Sequence, residues 1–210
     1  MSNRTLLPLV GALVALGCST AEGTGEVTSD RLYVEDCWNG PFDLDPDFFG
    51  ANPYRDTLTI RIQRGDNLEE VSDGLIVLVD EVSTIRNELL GQPIQTTLPA
   101  GVTPPGVPLK APAGTPAIVH LALYLHDTCH EQNGTLYSMG GNITFSALFS
   151  GDPNESDADD RLTEATFEAS FADPRHMDPA TGEVDAERVS LVNGWFRFLF
   201  QRGQPAQPFP

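Results

Sequence analysis

Residues 119–126 read Val119-His120-Leu121-Ala122-Leu123-Tyr124-Leu125-His126. Large aliphatic side chains occupy every second position, and histidine, alanine and tyrosine fill the positions between them. Side chains of a β-strand alternate between two faces, so this period of two predicts a strand with one strongly apolar face. Within residues 74–82, Leu75 to Val79 are apolar at successive positions, which predicts a central strand at 74–82 that is apolar on both faces.

The same alternation recurs on both sides of these segments. Its apolar positions are Leu32 and Val34; Leu58, Ile60 and Ile62; Ile143, Phe145 and Phe149; Phe167, Ala169 and Phe171; and Phe196, Phe198 and Phe200. We therefore predict an all-β fold of seven or eight antiparallel strands, with one short helix at 84–90. A β-sandwich is favoured over a small closed barrel because several runs are apolar mainly on one face. The phenylalanines expected to be buried are Phe145, Phe167, Phe171, Phe196 and Phe198.

Segments rich in proline and glycine set the expected boundaries of the β domain and of its strands. Residues 91–116 are rich in proline, and proline cannot donate a backbone hydrogen bond to a sheet. We expect this segment to be a long surface excursion and not a central strand. Residues 31–203 are then one β domain, and the proline-containing residues 204–210 form an irregular C-terminal tail.

The charge balance excludes one class of partner. The 210 residues carry 30 acidic and 12 basic side chains, for a formal net charge of −18. A chain this acidic is repelled by nucleic acid and by anionic membrane surfaces. We therefore expect no nucleic-acid partner.

The first 18 residues have the pattern of an export signal. Arg4 precedes an apolar run from Leu6 to Gly17, which is too short to cross a bilayer as a mature helix. The run ends in Leu16-Gly17-Cys18, which resembles the lipobox of bacterial lipoproteins. That resemblance implies removal of residues 1–17, lipid attachment at Cys18 and a Gram-negative envelope. Because Ser19 and not aspartate follows the cysteine, it also implies the outer membrane, with the domain facing the periplasm or the surface. Residues 18–30 are then an anchor and flexible tether.

Export makes a disulfide the expected state of the two remaining cysteines. With Cys18 assigned to lipid, Cys37 and Cys129 are left in an oxidising compartment. The alternative is a tetrahedral zinc site that adds His126 and His130 to the two thiolates.

Two acidic segments have an incomplete calcium-loop pattern. Asp43, Asp45 and Asp47 alternate in one of them, and Asp152, Asn154 and Ser156 alternate in the other. Calcium takes several oxygen ligands from one loop, but Phe48 and Asp157 stand where an EF-hand-like loop needs glycine. Each segment is therefore a calcium candidate or a solvated acidic turn. We expect no other cofactor.

An aromatic group follows Cys37 and includes Trp38, Phe42, Phe48 and Phe49. Exposed aromatic side chains often mark a recognition surface, so these four residues form a candidate binding face. The alternative is that they close one end of the core around the disulfide.

The function expected from these observations is that of a lipid-anchored envelope protein with a non-enzymatic binding, scaffolding or surface-interaction role. Its partners would be the outer membrane, through the lipid, and an envelope protein or glycan. The sequence contains no Gly-x-Ser-x-Gly, His-Glu-x-x-His or phosphate-loop motif. A hydrolase of an envelope polymer or glycan and a calcium-stabilised adhesion module are the alternatives.

Overall fold

The computed structural model describes residues 23–65, 67, 69–104, 118–130 and 134–201. Cys18, the tail at 204–210 and much of the proline-rich excursion lie outside these residues, so the predictions made for them stay predictions. Ten strands make up most of the described chain. They are β1 Gly23–Val34, β2 Trp38–Leu44, β3 Phe48–Tyr54, β4 Thr57–Gln63, β5 Asp73–Val79, β6 Pro93–Gln95, β7 Val119–Leu125, β8 Thr135–Ala147, β9 Leu162–Ala172 and β10 Ser190–Leu199.

The helical segments are short. Val82–Thr84 continues into a π-helical turn at Ile85–Leu89, in agreement with the helix predicted at 84–90. The others are Glu69–Val71, Ala158–Arg161, Pro174–His176 and Ala186–Arg188. Among the described residues, none of the helices has the length and apolar character needed to cross a membrane.

All ten strands belong to one sheet, in the order β2-β1-β10-β9-β8-β7-β5-β4-β3, with β6 paired to β8 off this path. Every pairing between these strands is antiparallel. The predicted all-β antiparallel class is confirmed. The strand count is ten and not seven or eight, because β2, β3 and β6 were not predicted. Each of them contains proline, and β2 and β3 are the two edge strands, where proline is tolerated.

The sheet curls so that its inner surfaces enclose one apolar core, as the two sheets of a sandwich do. The ring of Phe49 on edge strand β3 lies 5.9 Å from that of Phe198 on β10. The five phenylalanines predicted to be buried are all at most 5% exposed, which confirms the period of two in β8, β9 and β10. At the close approach between β1 and β3, Gly23 leaves room for Phe49, whose ring lies 2.6 Å from where a Cβ would stand.

Strand β1 corrects one predicted boundary. It begins at Gly23, so residues 23–30 are part of the sheet and not of the tether predicted at 18–30. This half of β1 pairs with β10 from Gly23↔Phe198 to Thr28↔Asn193. The segment is rich in glycine and polar residues, and Val27 is its only fully buried apolar side chain, so the sequence carries little periodicity. Pairing with β10 on one side and β2 on the other orders it.

Strand β6 lies within the predicted excursion at 91–116. It is only three residues long and begins at Pro93, the position in a strand where the missing N–H costs least. Its main anchor is Ile94, which is 1% exposed. The excursion therefore touches the edge of β8 without entering the main strand order.

Candidate functional site

The disulfide predicted between Cys37 and Cys129 is present, with Cα atoms 5.9 Å apart. It joins the turn after β1 to the connection between β7 and β8. The alternative zinc site is wrong, because both sulfur atoms are used in the covalent bond. His126 is also engaged elsewhere: its Nδ1 lies 2.9 Å from the Glu69 carbonyl oxygen and its Nε2 lies 3.1 Å from Thr135 Oγ1.

A cleft of about 520 Å³ opens beside the disulfide. It is formed by the end of β1 with its following turn, by the start of β8 and by the segment after β9. Val34 and Leu136 are its buried apolar residues. The other lining residues are polar: Tyr33, Glu35, Asp36, Asp173, Arg175 and His176. This mixture of a small apolar base and charged walls makes it the candidate binding site.

The turn between β1 and β2 positions Glu35. The backbone N–H of Cys37 donates to the Val34 carbonyl oxygen at 3.1 Å, which closes the turn. Asp36 has a φ of 58°, in the left-handed region that aspartate tolerates better than most residues. The disulfide at Cys37 holds the end of this turn against the β7–β8 connection. Glu35 is thus presented at the cleft from a cross-linked turn.

Two basic side chains from the β9–β10 connection, an imidazole and a guanidinium, reach the Glu35 carboxylate. His176 Nε2 lies 2.9 Å from Oε2, and Arg188 Nη1 lies 3.2 Å from Oε1. Both partners lie more than 140 residues away in the sequence, so only the fold brings them to Glu35. The three side chains connect two loops at one end of the sheet.

Asp173 and Arg175 form a second charged pair in the cleft. Asp173 caps the short turn Pro174–His176 by accepting a hydrogen bond from the Arg175 backbone N–H at 2.9 Å. The Arg175 guanidinium also donates to it, with Nε 2.8 Å from Oδ2. Burial alone would raise the pKa of Asp173, but the side-chain and backbone hydrogen bonds from Arg175 lower that pKa below its usual value.

The walls of the cleft therefore combine acidic and basic side chains that contact one another. The lowered pKa of Asp173 favours its ionised form. The Glu35 carboxylate contacts the His176 imidazole and the Arg188 guanidinium. The Arg175 side chain is 67% accessible, so its guanidinium lies at the solvent side of the cleft.

The predicted aromatic binding face is wrong for three of its four residues. Phe42, Phe48 and Phe49 are at most 8% exposed and belong to the folded interior. Phe42 lies on the inner face of β2 and Phe49 on that of β3, and the Arg61 guanidinium covers the Phe48 ring at 4.6 Å from its centroid. Only Trp38, at 37% exposure, remains on the surface. The structure thus favours the alternative in which these aromatics close the core.

Neither calcium candidate forms a cluster of three or more His, Cys, Asp or Glu side chains that could hold a metal ion in the part of the chain that the structure describes. Asp43, Asp45 and Asp47 are all exposed, and Asp47 Oδ1 accepts a hydrogen bond from the Gly65 N–H at 2.5 Å. Asp152 likewise accepts from the Asn154 N–H at 2.8 Å, while Ser156 is exposed. These carboxylates serve turns of the backbone.

The sequence analysis did not predict a buried polar cluster that consists of Arg61, Gln63 and Tyr124. Tyr124 donates a hydrogen bond to Gln63 Oε1 at 2.8 Å, and Gln63 Nε2 donates to the carbonyl oxygens of Gly65 and Asn67. Arg61 lies in the same cluster, and burial lowers its pKa. The cluster fastens the β4–β5 connection to the outer face of the sheet. Its residues alternate with the core residues of β4 and β7, which is the only signal that could have placed them together.

The outer face of β10 also carries residues that the sequence analysis did not single out. Leu191 and Trp195 are 52% and 41% exposed on this strand. The Trp195 indole N–H donates to Glu26 Oε2 on β1 at 3.4 Å, and Arg197 Nε donates to Glu164 Oε2 on β9 at 3.1 Å. The face is mostly polar and separate from the cleft.

Comparison with known proteins assigns this chain to no family. No protein-family model matches the chain, and neither curated proteins nor solved structures show significant similarity to it.

Proposed function

We propose that this protein is a lipid-anchored lipoprotein of the Gram-negative outer membrane whose β domain binds an envelope protein or glycan without chemical conversion. The cleft beside Cys37–Cys129 is the proposed binding site. The observation that carries the binding role is the arrangement of Glu35, His176 and Arg188 with Asp173 and Arg175, because these polar side chains already contact one another without a partner. Preorganised polar groups lose less free energy on binding than mobile ones do.

The lipid anchor is proposed from residues 6–18, where an apolar run ends in Leu16-Gly17-Cys18. Lipid-modified protein should partition into detergent and have a mass that exceeds that of residues 18–210 by its acyl chains. A Cys18→Ala variant should lose both properties. A wild-type mature protein that is unmodified and stays in the aqueous phase would contradict the anchor.

The binding role can be tested by placing a photoreactive amino acid at Tyr33 in intact cells. Tyr33 lines the cleft, whereas Tyr54, at 63% exposure in the β3–β4 hairpin, is a matched control away from it. We expect a discrete adduct from position 33 and none from position 54. Digestion of that adduct with a protease or a muramidase then identifies its class. The absence of a position-33 adduct, or equal adducts from both positions, would contradict a partner in the cleft.

A further inference from the structure

Strand β1 connects the proposed anchor to the cleft along the length of the domain. Its first residue, Gly23, pairs with Phe198 near the end of β10. Its last residue, Val34, pairs with Trp38 and leads directly into the turn that presents Glu35. Eleven residue steps at about 3.3 Å each separate these ends by at most roughly 36 Å, because the register shift between Ser29 and Leu32 shortens the strand. The cleft and the start of the sheet therefore lie at opposite ends of β1.

The chain between the lipid and the sheet is short. Cys18 precedes Gly23 by five residues. A fully extended chain spans at most about 3.6 Å per residue, so five residues reach about 18 Å whatever conformation they adopt. This limit is about half the length of β1. The first residue of the sheet is thus held close to the headgroups into which the lipid of Cys18 inserts.

We infer that the anchor holds the Gly23 end of the sheet at the bilayer surface and presents the cleft at the membrane-distal end. This inference rests on the proposed lipidation of Cys18. Gly23 is the point at which the domain is held to the bilayer, and the bilayer itself excludes the domain. The mean height of a residue above the bilayer therefore increases with its distance from Gly23. The partner of the cleft is therefore a component that lies beyond the headgroup layer, not a lipid of the anchoring membrane.

The charges near Gly23 limit how closely this end of the sheet approaches the bilayer. Leu162, the first residue of β9, pairs with Leu199 beside the start of β1, and the Phe200 N–H donates to the Arg161 carbonyl oxygen at 2.9 Å. The segment before β9 is therefore also at this end, and it contains Asp152, Glu155, Asp157, Asp159 and Asp160. Carboxylates are repelled by anionic headgroups. This end consequently faces the surface without inserting into it, and the lipid alone provides attachment.

The two tryptophans of the chain provide the test, because they lie at different distances from Gly23. Trp195 pairs with Glu26, three residues or roughly 10 Å along β1 from Gly23, whereas Trp38 pairs with Val34 at the far end. Their exposures are similar, at 41% and 37%. The lipidated Trp38→Phe and Trp195→Phe variants are each reconstituted in phosphatidylcholine vesicles that contain dansyl-phosphatidylethanolamine, and energy transfer from tryptophan to dansyl is measured.

We expect transfer from Trp195, measured in Trp38→Phe, to exceed transfer from Trp38, measured in Trp195→Phe, by at least about twofold, given their positions along β1. An unanchored chain that begins at Ser19 should show no transfer with the same vesicles. Equal transfer, greater transfer from Trp38, or none from either tryptophan in protein that floats with the vesicles would overturn the orientation. Failure of the protein to float would instead overturn the anchor itself. Thermal melting checks that each variant is folded, and the corresponding Trp→Tyr variants replace any that is not.

Discussion

His176 Nε2 lies 2.9 Å from Glu35 Oε2, so the segment after β9 is joined to the turn after β1 at the mouth of the cleft. Arg188 contacts the other oxygen of the same carboxylate at 3.2 Å. Glu35 is therefore the residue through which two loops of the binding site are held together. Its removal should affect the cleft more than the core.

Glu35→Gln should lower the free energy of unfolding by up to about 1 kcal/mol, which is the range for partly exposed ion pairs. The physical reason is that His176 and Arg188 both lose their charged partner. Urea denaturation measures the change, and photo-crosslinking from Tyr33 should fall in parallel. Glu168→Gln, on the exposed outer face of β9, is the matched control and should change neither. Equal effects of the two substitutions would show that Glu35 has no special role.

Replacing both Cys37 and Cys129 with serine should destabilise the protein by roughly 2–5 kcal/mol. The disulfide closes a sequence separation of 92 residues, and cross-linking such a long loop restricts the unfolded chain. Residual structure in the unfolded state makes the measured loss smaller than the ideal entropic value. Adding a reductant to the wild type should reproduce the loss and should leave the double variant unchanged. A wild type whose urea midpoint does not respond to full reduction would contradict this prediction.

Asp173→Asn should remove part of the acid sensitivity of the fold. Because the pKa of Asp173 is lower in the folded state, its ionised form stabilises the protein above its unfolded pKa of about 3.9. That stabilisation is lost as pH falls through the lower, folded pKa. The stability difference between wild type and variant should therefore be full near neutral pH and decrease below about pH 4. The same series on Asp45→Asn corrects for the loss of one carboxylate, and a difference that grows on acidification would reverse the sign we give.

Gly74→Ala should destabilise the protein by about 1–3 kcal/mol, the usual cost of overpacking. A Cβ at Gly74 would clash with the Tyr124 hydroxyl oxygen and would stand 2.7 Å from the Ile62 carbonyl oxygen. The substitution would thus displace Tyr124 from Gln63 and disturb the β4–β5 pairing. Gly40→Ala is the matched control, since no atom lies within 4 Å of its added Cβ. Thermal unfolding should separate the two variants by several degrees, and similar melting temperatures would contradict the close packing at Gly74.

The strands that could be predicted are those with one regular apolar face. The alternation in β7 and the phenylalanines of β8, β9 and β10 predicted both the strands and their buried faces. Strands β2, β3 and the first half of β1 could not be recognised, because glycine, proline and polar residues interrupt their alternation. Their neighbours in the sheet supply the hydrogen bonds that keep them extended.

Most residues of the candidate site could not be predicted from the sequence. Its charged residues come from the turn at 35–37 and the segment at 173–188, and no motif links the two. Most of the aromatic residues after Cys37 that were predicted to form a binding face are core residues, because the alternation of side chains on β2 and β3 directs them inward. A single polar side chain indicates a binding site only when the residues that it contacts, which can be distant in the sequence, are known.

The sequence by itself determined the all-β class and the burial of Phe145, Phe167, Phe171, Phe196 and Phe198, because both follow from local periodicity. The disulfide between Cys37 and Cys129 was expected once the lipobox resemblance assigned Cys18 to lipid. Only the tertiary structure decided that ten strands form one curled sheet, that Phe42, Phe48 and Phe49 are interior, and that Glu35 meets His176 and Arg188. These outcomes depend on contacts between segments that lie more than 150 residues apart in the sequence. The free energy of such contacts is gained only when the whole sheet closes around its core.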